Sequence, residues 1–380
     1  MLNLGGTYRE VVAEETLARI EPLLLPVFGI TRVADVTGLD NINVHTVVAI
    51  RPNSKSLANA QGKGQSLVLA KTSALMEAIE VWHGENLPSP DLIGSYEQLS
   101  KAYTLQPLTP LMGGFYSTRL ATESIGYVTT TDIVTGETVY FPHTFFNQDR
   151  AHFSQNCESF WPTTNGVASG NSMEEAQCHA LFELIERHSR YHLNLSELVT
   201  RRVDLNYLPS DICVNMVNAI CDKDYILRVY DLRTPLNIPV YMAIINDSND
   251  IRNIGSFAGY GCHLSDEIAL LRAITEAIQS RLTHISGARD DISSSLYLKK
   301  TKQLTKPLPG THRPTYNEKI PSSFFGFLDS MIKTLYQHGY KRICSYDLTK
   351  PDINIPVTHM VIPEITPYPG ALVAKAGGRI

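Results

Sequence analysis

Two kinds of apolar and polar pattern alternate along the chain. Stretches rich in Ala, Leu, Ile, Glu and Gln, which favour helices, are separated by short runs of β-branched and aromatic residues, which favour strands. The helical stretches predict an amphipathic helix over 8–26 that Pro26 ends, a second helix over 66–86, a third that Ser172 caps, a fourth that ends at Gly287 and a fifth that ends at Gly339.

The β-rich runs occur in pairs around turn signals. Two strands are predicted within 28–52, on either side of Gly38 and Asp40, and hairpins are predicted over 127–142, 226–245 and 342–363. The last two hairpins share Tyr-Asp-Leu followed by Asn-Ile-Pro-Val. A repeated hairpin beside a repeated helix predicts an α/β (α+β) fold, with hairpin plus helix units around mixed sheets.

We expect a single domain over 1–380, in which a segment of about 1–60 leads into the first repeated helix. The glycine-bearing stretch 54–66 is predicted to be a polar loop, and residues 87–125 a connecting segment with little regular structure. A linker is expected at about 298–315, which is rich in Lys and Pro, and an unpacked tail at 363–380, which is rich in Pro and Gly.

One helical pattern occurs three times with the same spacing. Each copy has two alanines four residues apart, then two acidic or amide residues three apart, and follows a glycine-bearing turn. Residues three or four apart share a helix face, so each copy places small residues beside oxygen-bearing side chains. The copies are Ala70, Ala74, Glu77 and Glu80; Ala176, Ala180, Glu183 and Glu186; and Ala269, Ala273, Glu276 and Gln279, preceded by Gly64, Gly170 and Gly261.

Five carboxylates and one amide on three such helices indicate a bound cation, because like charges disfavour one another's ionisation unless a counterion is present. A lone pair of this kind is ordinarily solvated, and duplication without a retained role is the alternative for the repeat. Oxygen ligands without nearby Cys or His favour Mg²⁺ or Ca²⁺, and the chain has no EF-hand pattern. Carboxylate-held Mg²⁺ generally shares its shell with phosphate oxygens, which indicates a nucleotide.

Basic residues close to the acidic positions agree with a polyphosphate ligand. Arg187 directly follows the second copy, while Arg281 and Arg289 follow the third. They can neutralise phosphate, although each alone is typical of a surface arginine. Lys63 stands between two glycines before the first repeated helix, a setting that suits either anion binding or a solvated lysine in a capping turn.

The common motifs for other chemistry are absent from the sequence. There is no P-loop, no dinucleotide fingerprint that opens a helix, no protein-kinase set and no nucleophile elbow. The histidines His83, His179 and His188 of the repeated helices are more typical of packing or solvent-facing residues than of catalysts.

Composition narrows the class further. A net charge of −5 and a pI of about 6.2 give no bias toward nucleic acid or anionic membranes. The six cysteines form no C-x-x-C pair, which argues against a zinc ribbon and fits reduced thiols. No secretory signal or membrane-spanning run is found, so we expect a cytoplasmic protein without nucleic-acid or membrane partners.

The motifs together resemble the YcaO superfamily over most of the chain. The first block resembles the family's S-x-x-x-E-x-x-E motif at Ser73, Glu77 and Glu80. The second block is similar at the family's Asn, Glu and E-x-x-E-R positions, and the third at its Gln and Arg positions. The corresponding residues are Asn171, Glu175, Glu183, Glu186 and Arg187 in the second block, and Glu276, Gln279, Arg281 and Arg289 in the third.

One departure concerns a serine. Many family members have Ser three residues before the Asn, whereas this chain has Ala168 there and Ser169 next to it.

The resemblance implies roles for these residues. It implies Mg²⁺ ligands at Glu77, Glu80, Glu175, Glu183 and Glu186, and catalytic roles for Glu77, Glu80, Glu183, Glu186 and Arg281. It also implies ATP contacts, to which we add Lys63 from its own setting. These contacts are Lys63, Ser73, Asn171, Glu175, Arg187, Glu276, Gln279 and Arg289.

The implied reaction is ATP-dependent phosphorylation of a peptide-backbone amide, followed by displacement with a nucleophile. External sulfide gives a thioamide, and a Cys, Ser or Thr side chain of the same peptide gives an azoline. The segments 16–44 and 49–64 resemble members that work with a TfuA-like protein, and the Pro-x-Pro-x-Pro tail of azoline-forming members is absent. We therefore favour thioamide formation over cyclodehydration.

The expected partners follow from this interpretation. They are a peptide or protein substrate, a sulfide donor and a TfuA-like protein or other partner subunit, with a homodimer left open. A non-catalytic ATP-binding accessory subunit is the alternative from another class.

Overall fold

The computed structural model describes residues 1–108, 111, 121–152, 160, 163–194, 196–248, 254–287, 309–317 and 320–365. The strands, in chain order, are β1 (Leu2–Asn3), β2 (Tyr8–Arg9), β3 (Arg32–Asp35), β4 (His45–Ile50), β5 (Asn59–Gly64), β6 (Leu92–Gly94), β7 (Ile125–Asp132), β8 (Thr138–Pro142), β9 (Val167–Ser169), β10 (Tyr225–Asp231), β11 (Val240–Asp247), β12 (Ser256–Cys262), β13 (Cys344–Asp347) and β14 (Val357–Val361). The helices are α1 (Ala13–Ile20), α2 (Leu67–Glu85), α3 (Tyr96–Leu99), α4 (His143–Phe146), α5 (Met173–Tyr191), α6 (Asp211–Cys221), α7 (Asp266–Ser286) and α8 (Phe324–Gln337).

Cα packing divides the chain into two compact units. The first unit comprises Met1–Asn53, Leu57–Ala78 and His192–Ser323, and the second comprises Ser54–Ser56, Ile79–Tyr191 and Phe324–Ile380. The boundary falls within α2, after Ala78. The expectation of a single domain over 1–380 stays a prediction.

The first unit contains a two-stranded ribbon, β1–β2, and two three-stranded sheets, β3–β4–β5 and β10–β11–β12. Helix α7 packs against β11 and β12, and α6 packs against β10 and α7. Their shared core includes Val217 and Ile220 of α6 and Ile274 and Ile278 of α7, all nearly inaccessible to solvent. Burial of this apolar surface stabilises the unit.

The second unit contains a six-stranded sheet in the order β6–β7–β13–β14–β9, with β8 paired to β7. Helix α5 packs against β9, β14 and α8. The three predicted hairpins are confirmed as β7–β8 here, β13–β14 here and β10–β11 in the first unit. In the two related hairpins, Asn237 and Asn354 of the shared Asn-Ile-Pro-Val both adopt positive φ, which asparagine tolerates well.

The α+β class is confirmed, but the sheets are antiparallel rather than mixed. Every named strand pair in the described part of the chain is antiparallel, and parallel pairing occurs there only as isolated bridges such as Leu105 with Tyr140. Short hairpin connections give antiparallel neighbours, whereas parallel neighbours need a crossover. Helices α2 and α7 follow the antiparallel pairs β4–β5 and β11–β12, whereas α5 follows β9, which pairs with β14.

The stretches predicted as glycine-bearing turns are in large part strands. The predicted loop 54–66 contains β5, and β9 and β12 lie directly before α5 and α7. A Cβ added at Gly62 would overlap the backbone of Ala70 and Ala74, and one at Gly259 would overlap that of α7. Glycine in a strand often marks such a close approach of another backbone. From sequence alone these glycines indicate turns, so the strands were not predicted.

Other boundaries also differ from the sequence prediction. The helix predicted over 8–26 is limited to α1 and a short 3₁₀ turn, Glu21–Leu23, because Pro22 cannot continue the α-helical hydrogen bonds. Helix α6 was not predicted, although Ser210 caps it. The segment 87–125 contains β6 and α3, while most of the predicted linker and tail lies outside the described residues. No helix in the described ranges is long and apolar enough to cross a membrane.

The close packing of β12 on α7 predicts that Gly259→Ala lowers stability. The added methyl would overlap the α7 backbone, and we expect the free energy of unfolding to fall by about 3 kcal/mol, the upper range for overpacking. Urea denaturation followed by circular dichroism measures the change. Gly38→Ala is the control, since no atom lies within 4 Å of its added Cβ; an equal loss in both variants would contradict the packing account.

Candidate functional site

Helix α2 carries the residues of the first predicted block. Ser73 and Glu80 are half-buried and Glu77 is exposed. Glu77 belongs to the first unit and Glu80 to the second. The Oε1 of Glu80 accepts a hydrogen bond of 2.8 Å from the backbone N–H of Ser169 and one of 2.6 Å from its hydroxyl. One oxygen of Glu80 is therefore fixed by two donors of a single residue.

Helix α5 carries the second block, and its Glu183 is also fixed by hydrogen bonds. The backbone N–H of Gly166 donates to Oε2 at 3.0 Å, and Arg187 donates to Oε1 at 3.2 Å. Arg187 also lies 3.8 Å from the carboxylate of Glu186, whose side chain is 8% exposed. Arg187 therefore contacts both Glu183 and Glu186, which its position directly after them on the helix allows.

The start of α5 places Glu175 and Asn171 together. The Ser172 hydroxyl accepts a hydrogen bond of 3.1 Å from the backbone N–H of Glu175, which confirms the predicted cap. Asn171 donates to the Glu175 carboxylate at 3.4 Å, and the Nε2 of His179 lies 3.9 Å from it. The Glu175 side chain is only 2% exposed, so a buried oxygen donor lies at the first turn of this helix.

In the first unit, the structure brings two predicted ATP contacts together. Lys63 forms an ion pair of 2.8 Å with Glu276, and the other Glu276 oxygen accepts from the backbone N–H of Tyr260 at 3.3 Å. Lys63 lies on β5 rather than in a capping turn, and its side chain is 20% exposed. Gln279 is half-buried on α7. Lysine and glutamate thus neutralise each other.

The structure buries Arg281, for which the sequence predicts a catalytic role. Its side chain is 2% exposed, and its Nε donates to Asp40 at 2.6 Å. The guanidinium also lies over the Tyr225 ring, 5.0 Å from the centroid. If this side chain moved away, the Asp40 carboxylate would remain buried without its counterion, and the predicted catalytic role of Arg281 stays a prediction. Arg289 lies outside the described residues.

The described residues do not by themselves complete a metal site. Among the described residues, no three or more His, Cys, Asp or Glu side chains are grouped so that they could hold a metal ion. The donors in the second unit are nevertheless all oxygens, and N–H and O–H groups orient Glu80 and Glu183, as is usual for ligating carboxylates. This set fits Mg²⁺ whose shell is completed by phosphate oxygens.

The sequence reading missed that the chain between Asn165 and Ser169 orients carboxylates from two helices. We call residues 165–169 the carboxylate-holding segment. Ser169 supplies the hydroxyl that reaches Glu80, one residue after the alanine at the family's serine position. Gly166 adopts φ +86, and a Cβ there would overlap the carbonyl oxygen of Met360. The glycine and the displaced serine were visible signals, but their partners are distant in sequence.

His359 of β14 lies against the carboxylate-holding segment. Its Nε2 lies 3.0 Å from the carbonyl oxygen of Asn165, so this nitrogen carries the hydrogen and donates. The side chain is buried beside Phe145 and Phe146. Burial lowers the pKa of His359 to about 4, because the protonated ring loses its hydration.

The chain is similar to a known protein family and to individual proteins. The YcaO cyclodehydratase family, described as ATP- and Mg²⁺-binding, matches residues 61–366. An uncharacterized protein of Mycobacterium tuberculosis is 35% identical over 301 residues, which are 77% of this chain and 65% of that protein. A protein of Rhizobium leguminosarum bv. trifolii, named as uncharacterized and in the tfuA 3′ region, is 30% identical over 375 residues, 93% of this chain and 88% of that protein.

Solved structures share the fold at low sequence identity. A heterocyclase in complex with substrate and cofactor has a TM-score of 0.77 and 22% identity, covering 94% of this chain and 52% of that chain. YcaO from Methanopyrus kandleri bound with AMPPCP and Mg²⁺ has a TM-score of 0.73 and 18% identity, and the match covers 97% of this chain and 94% of that chain. The Escherichia coli microcin synthetase McbBCD complex with pro-MccB17 bound has a TM-score of 0.63 and 16% identity, and the match covers 87% of this chain and 87% of that chain. This chain therefore spans 65% of the mycobacterial relative and about half of the heterocyclase chain.

The burial of Arg281 predicts that Arg281→Met costs about 3 kcal/mol or more of unfolding free energy, since Asp40 would remain buried without its counterion. Urea denaturation measures the loss. The double variant Arg281→Met/Asp40→Leu is the control and should recover part of the stability, because no lone charge remains. Unchanged stability with lost ATP binding would instead return Arg281 to the role predicted from sequence.

The neutral, buried His359 predicts a loss of stability in acid. The ring is uncharged in both states above the unfolded pKa of about 6.5, while below it only the unfolded chain binds the proton until about pH 4. Between pH 7.5 and 5 the unfolding free energy should fall by about 2 kcal/mol more in the wild type than in His359→Phe. Urea denaturation at both pH values measures the two falls in unfolding free energy. The control is His338→Phe, which replaces an exposed histidine. Equal falls in wild type and His359→Phe would contradict burial of the neutral ring.

Proposed function

This chain belongs to the YcaO cyclodehydratase family, which binds ATP and Mg²⁺, and on that premise we propose that it modifies a peptide-backbone amide in an ATP-dependent reaction and forms a thioamide. The observation that carries the proposal is the carboxylate-holding segment, which orients Glu80 of α2 and Glu183 of α5. Both lie within the matched range, on the acidic repeat that indicated Mg²⁺ with phosphate.

The proposed reaction balances without a redox partner. The amide oxygen takes the γ-phosphoryl group of ATP and ADP leaves; sulfide then attacks the amide carbon, and the oxygen departs with phosphate. The net change is one amide oxygen replaced by sulfur, with ATP converted to ADP and phosphate. Bound Mg²⁺ and ATP supply the activated phosphoryl group and the positive charge that offsets the charge on its oxygens.

The residues of the second unit have proposed roles in holding the metal. Glu80 and Glu183, both oriented by hydrogen bonds, are the leading ligands, and Arg187 beside Glu183 would offset phosphate charge. We propose the same ligand role for the buried Glu175 and Glu186. A ligand role for Glu77, which belongs to the first unit, stays a prediction.

The residues of the first unit have proposed roles in nucleotide binding. Lys63 would exchange Glu276 for a phosphate oxygen, since a lysine ammonium binds either anion. Release of Glu276 would leave its carboxylate as an acceptor for a donor group of the nucleotide. Ser73 and Gln279 on α2 and α7 are the proposed neutral contacts.

The choice of thioamide formation rests on the relative whose name places it in the tfuA 3′ region. It implies a sulfide donor and a TfuA-like partner. Azoline formation by cyclodehydration is the second candidate, which the likeness to a heterocyclase and a microcin synthetase favours. The microcin synthetase is a complex, so either candidate allows a partner subunit.

The product distinguishes the two candidates. Proteomes of cells with and without the gene should differ in peptides whose mass rises by the replacement of one oxygen by sulfur, as measured by high-resolution mass spectrometry. Peptides that instead lose one water would favour cyclodehydration, and unchanged peptide masses would contradict both.

Variants of the carboxylates test whether the chain itself is the catalyst. Complementation with Glu80→Gln or Glu183→Gln should lower the modified fraction at least about 100-fold, because an amide replaces a charged metal ligand. Glu174→Gln is the matched control, since this exposed residue lies on the same helix α5. Full modification by both site variants would favour a non-catalytic accessory subunit.

A further inference from the structure

Strand β14 donates two hydrogen bonds to the start of the carboxylate-holding segment. The Nε2–H of His359 donates to the carbonyl oxygen of Asn165 at 3.0 Å, and the backbone N–H of Met360 donates to the carbonyl oxygen of Gly166 at 2.7 Å. Both carbonyls of the turn are therefore fixed from one strand. His359 also lies opposite Val167 in the β9–β14 pairing.

These hydrogen bonds are linked, through the backbone of the segment, to the proposed metal ligands. The peptide plane that joins Asn165 to Gly166 holds both the Asn165 carbonyl and the Gly166 N–H. The first group accepts from His359 and the second donates to Glu183 at 3.0 Å, so the histidine sets the direction of the N–H that orients the carboxylate. Three residues later, Ser169 orients Glu80.

The surroundings of His359 show what the imidazole contributes. The side chain of this residue is 1% exposed, with ring centroids 6.1 Å from Phe145 and 4.9 Å from Phe146. Its Nδ1 is buried and has no hydrogen-bond partner among the described residues. An unpartnered buried acceptor costs free energy, which a phenylalanine of similar shape would avoid. Among the described residues, the hydrogen bond to Asn165 is the contact of the His359 ring that a phenylalanine could not make.

We propose that His359 is a positioning residue, which fixes the Asn165–Gly166 peptide plane and thereby holds Glu183 in the orientation that binds Mg²⁺. The inference rests on the proposed function, because it takes Glu183 to be a metal ligand. Groups that orient metal ligands are commonly worth 10- to 100-fold in metal affinity, so the effect should be about 10-fold.

The test is the Mg²⁺ dependence of nucleotide binding. Full-length wild type and His359→Phe are titrated with AMPPCP at a series of Mg²⁺ concentrations by calorimetry. The Mg²⁺ concentration for half-maximal binding should rise about 10-fold in His359→Phe, while AMPPCP affinity at saturating Mg²⁺ stays unchanged. His359→Gln, which keeps an N–H donor on a long side chain, should restore most of the wild-type value.

Phe146→Leu is the matched control, because it loosens the same aromatic cluster and leaves the hydrogen-bonding groups of His359 and Met360 in place. It should lower the unfolding temperature and leave the Mg²⁺ dependence unchanged. If His359→Phe does not fold, His359→Asn replaces it, since its amide is too short to reach Asn165. A wild-type Mg²⁺ dependence in the folded phenylalanine or asparagine variant, or an equal shift in Phe146→Leu, would overturn the inference. Absence of AMPPCP binding to the wild type would instead overturn the proposed function.

Discussion

A helix backbone can approach a strand closely only where no side chain stands between them, and this constraint underlies the repeated elements. Glycines of β5 and β12 face alanine-bearing turns of α2 and α7, and Gly170 after β9 faces the start of α5. Close packing of this kind fixes each helix relative to the strand that leads into it. The acidic residues three positions beyond the alanines are thereby held at defined places in their own unit.

The spacing of the repeat therefore joins a packing requirement to a chemical one. The alanines face glycine backbone, and acidic residues three or six positions after an alanine accept hydrogen bonds from backbone N–H groups elsewhere in the chain. In the second unit those groups belong to Gly166 and Ser169, and in the first unit Tyr260 N–H reaches Glu276. Carboxylates oriented by backbone donors keep their direction without a bound ion, so less ordering is needed when an ion binds.

The sequence predicted these helices well because local spacing determines them. The span 66–86 is realised as Leu67–Glu85, and Ser172 and Gly287 stand at the expected ends of α5 and α7. The three hairpins also carry local signals. Strands β5 and β9 were missed because glycine signals a turn unless the approaching helix is known, and that helix is a tertiary feature.

The candidate site was predictable in its residue types and less so in its geometry. The acidic positions and Arg187 follow from the repeat, whereas Ser169, Gly166 and His359 act through partners far away in sequence. Arg281 is a further example, because this arginine beside the motif pairs with Asp40, more than 200 residues earlier. Spacing along one helix cannot show which neighbouring element its side chains will meet.

The central claim is that the acidic repeat serves a magnesium nucleotide, and calorimetry of the wild-type chain with AMPPCP tests it most directly. We predict saturable binding in the presence of Mg²⁺ and its loss when Mg²⁺ is removed with a chelator, because the oriented carboxylates need phosphate oxygens to complete the metal's shell. Binding that is absent, or that is equally strong without Mg²⁺, would contradict the account.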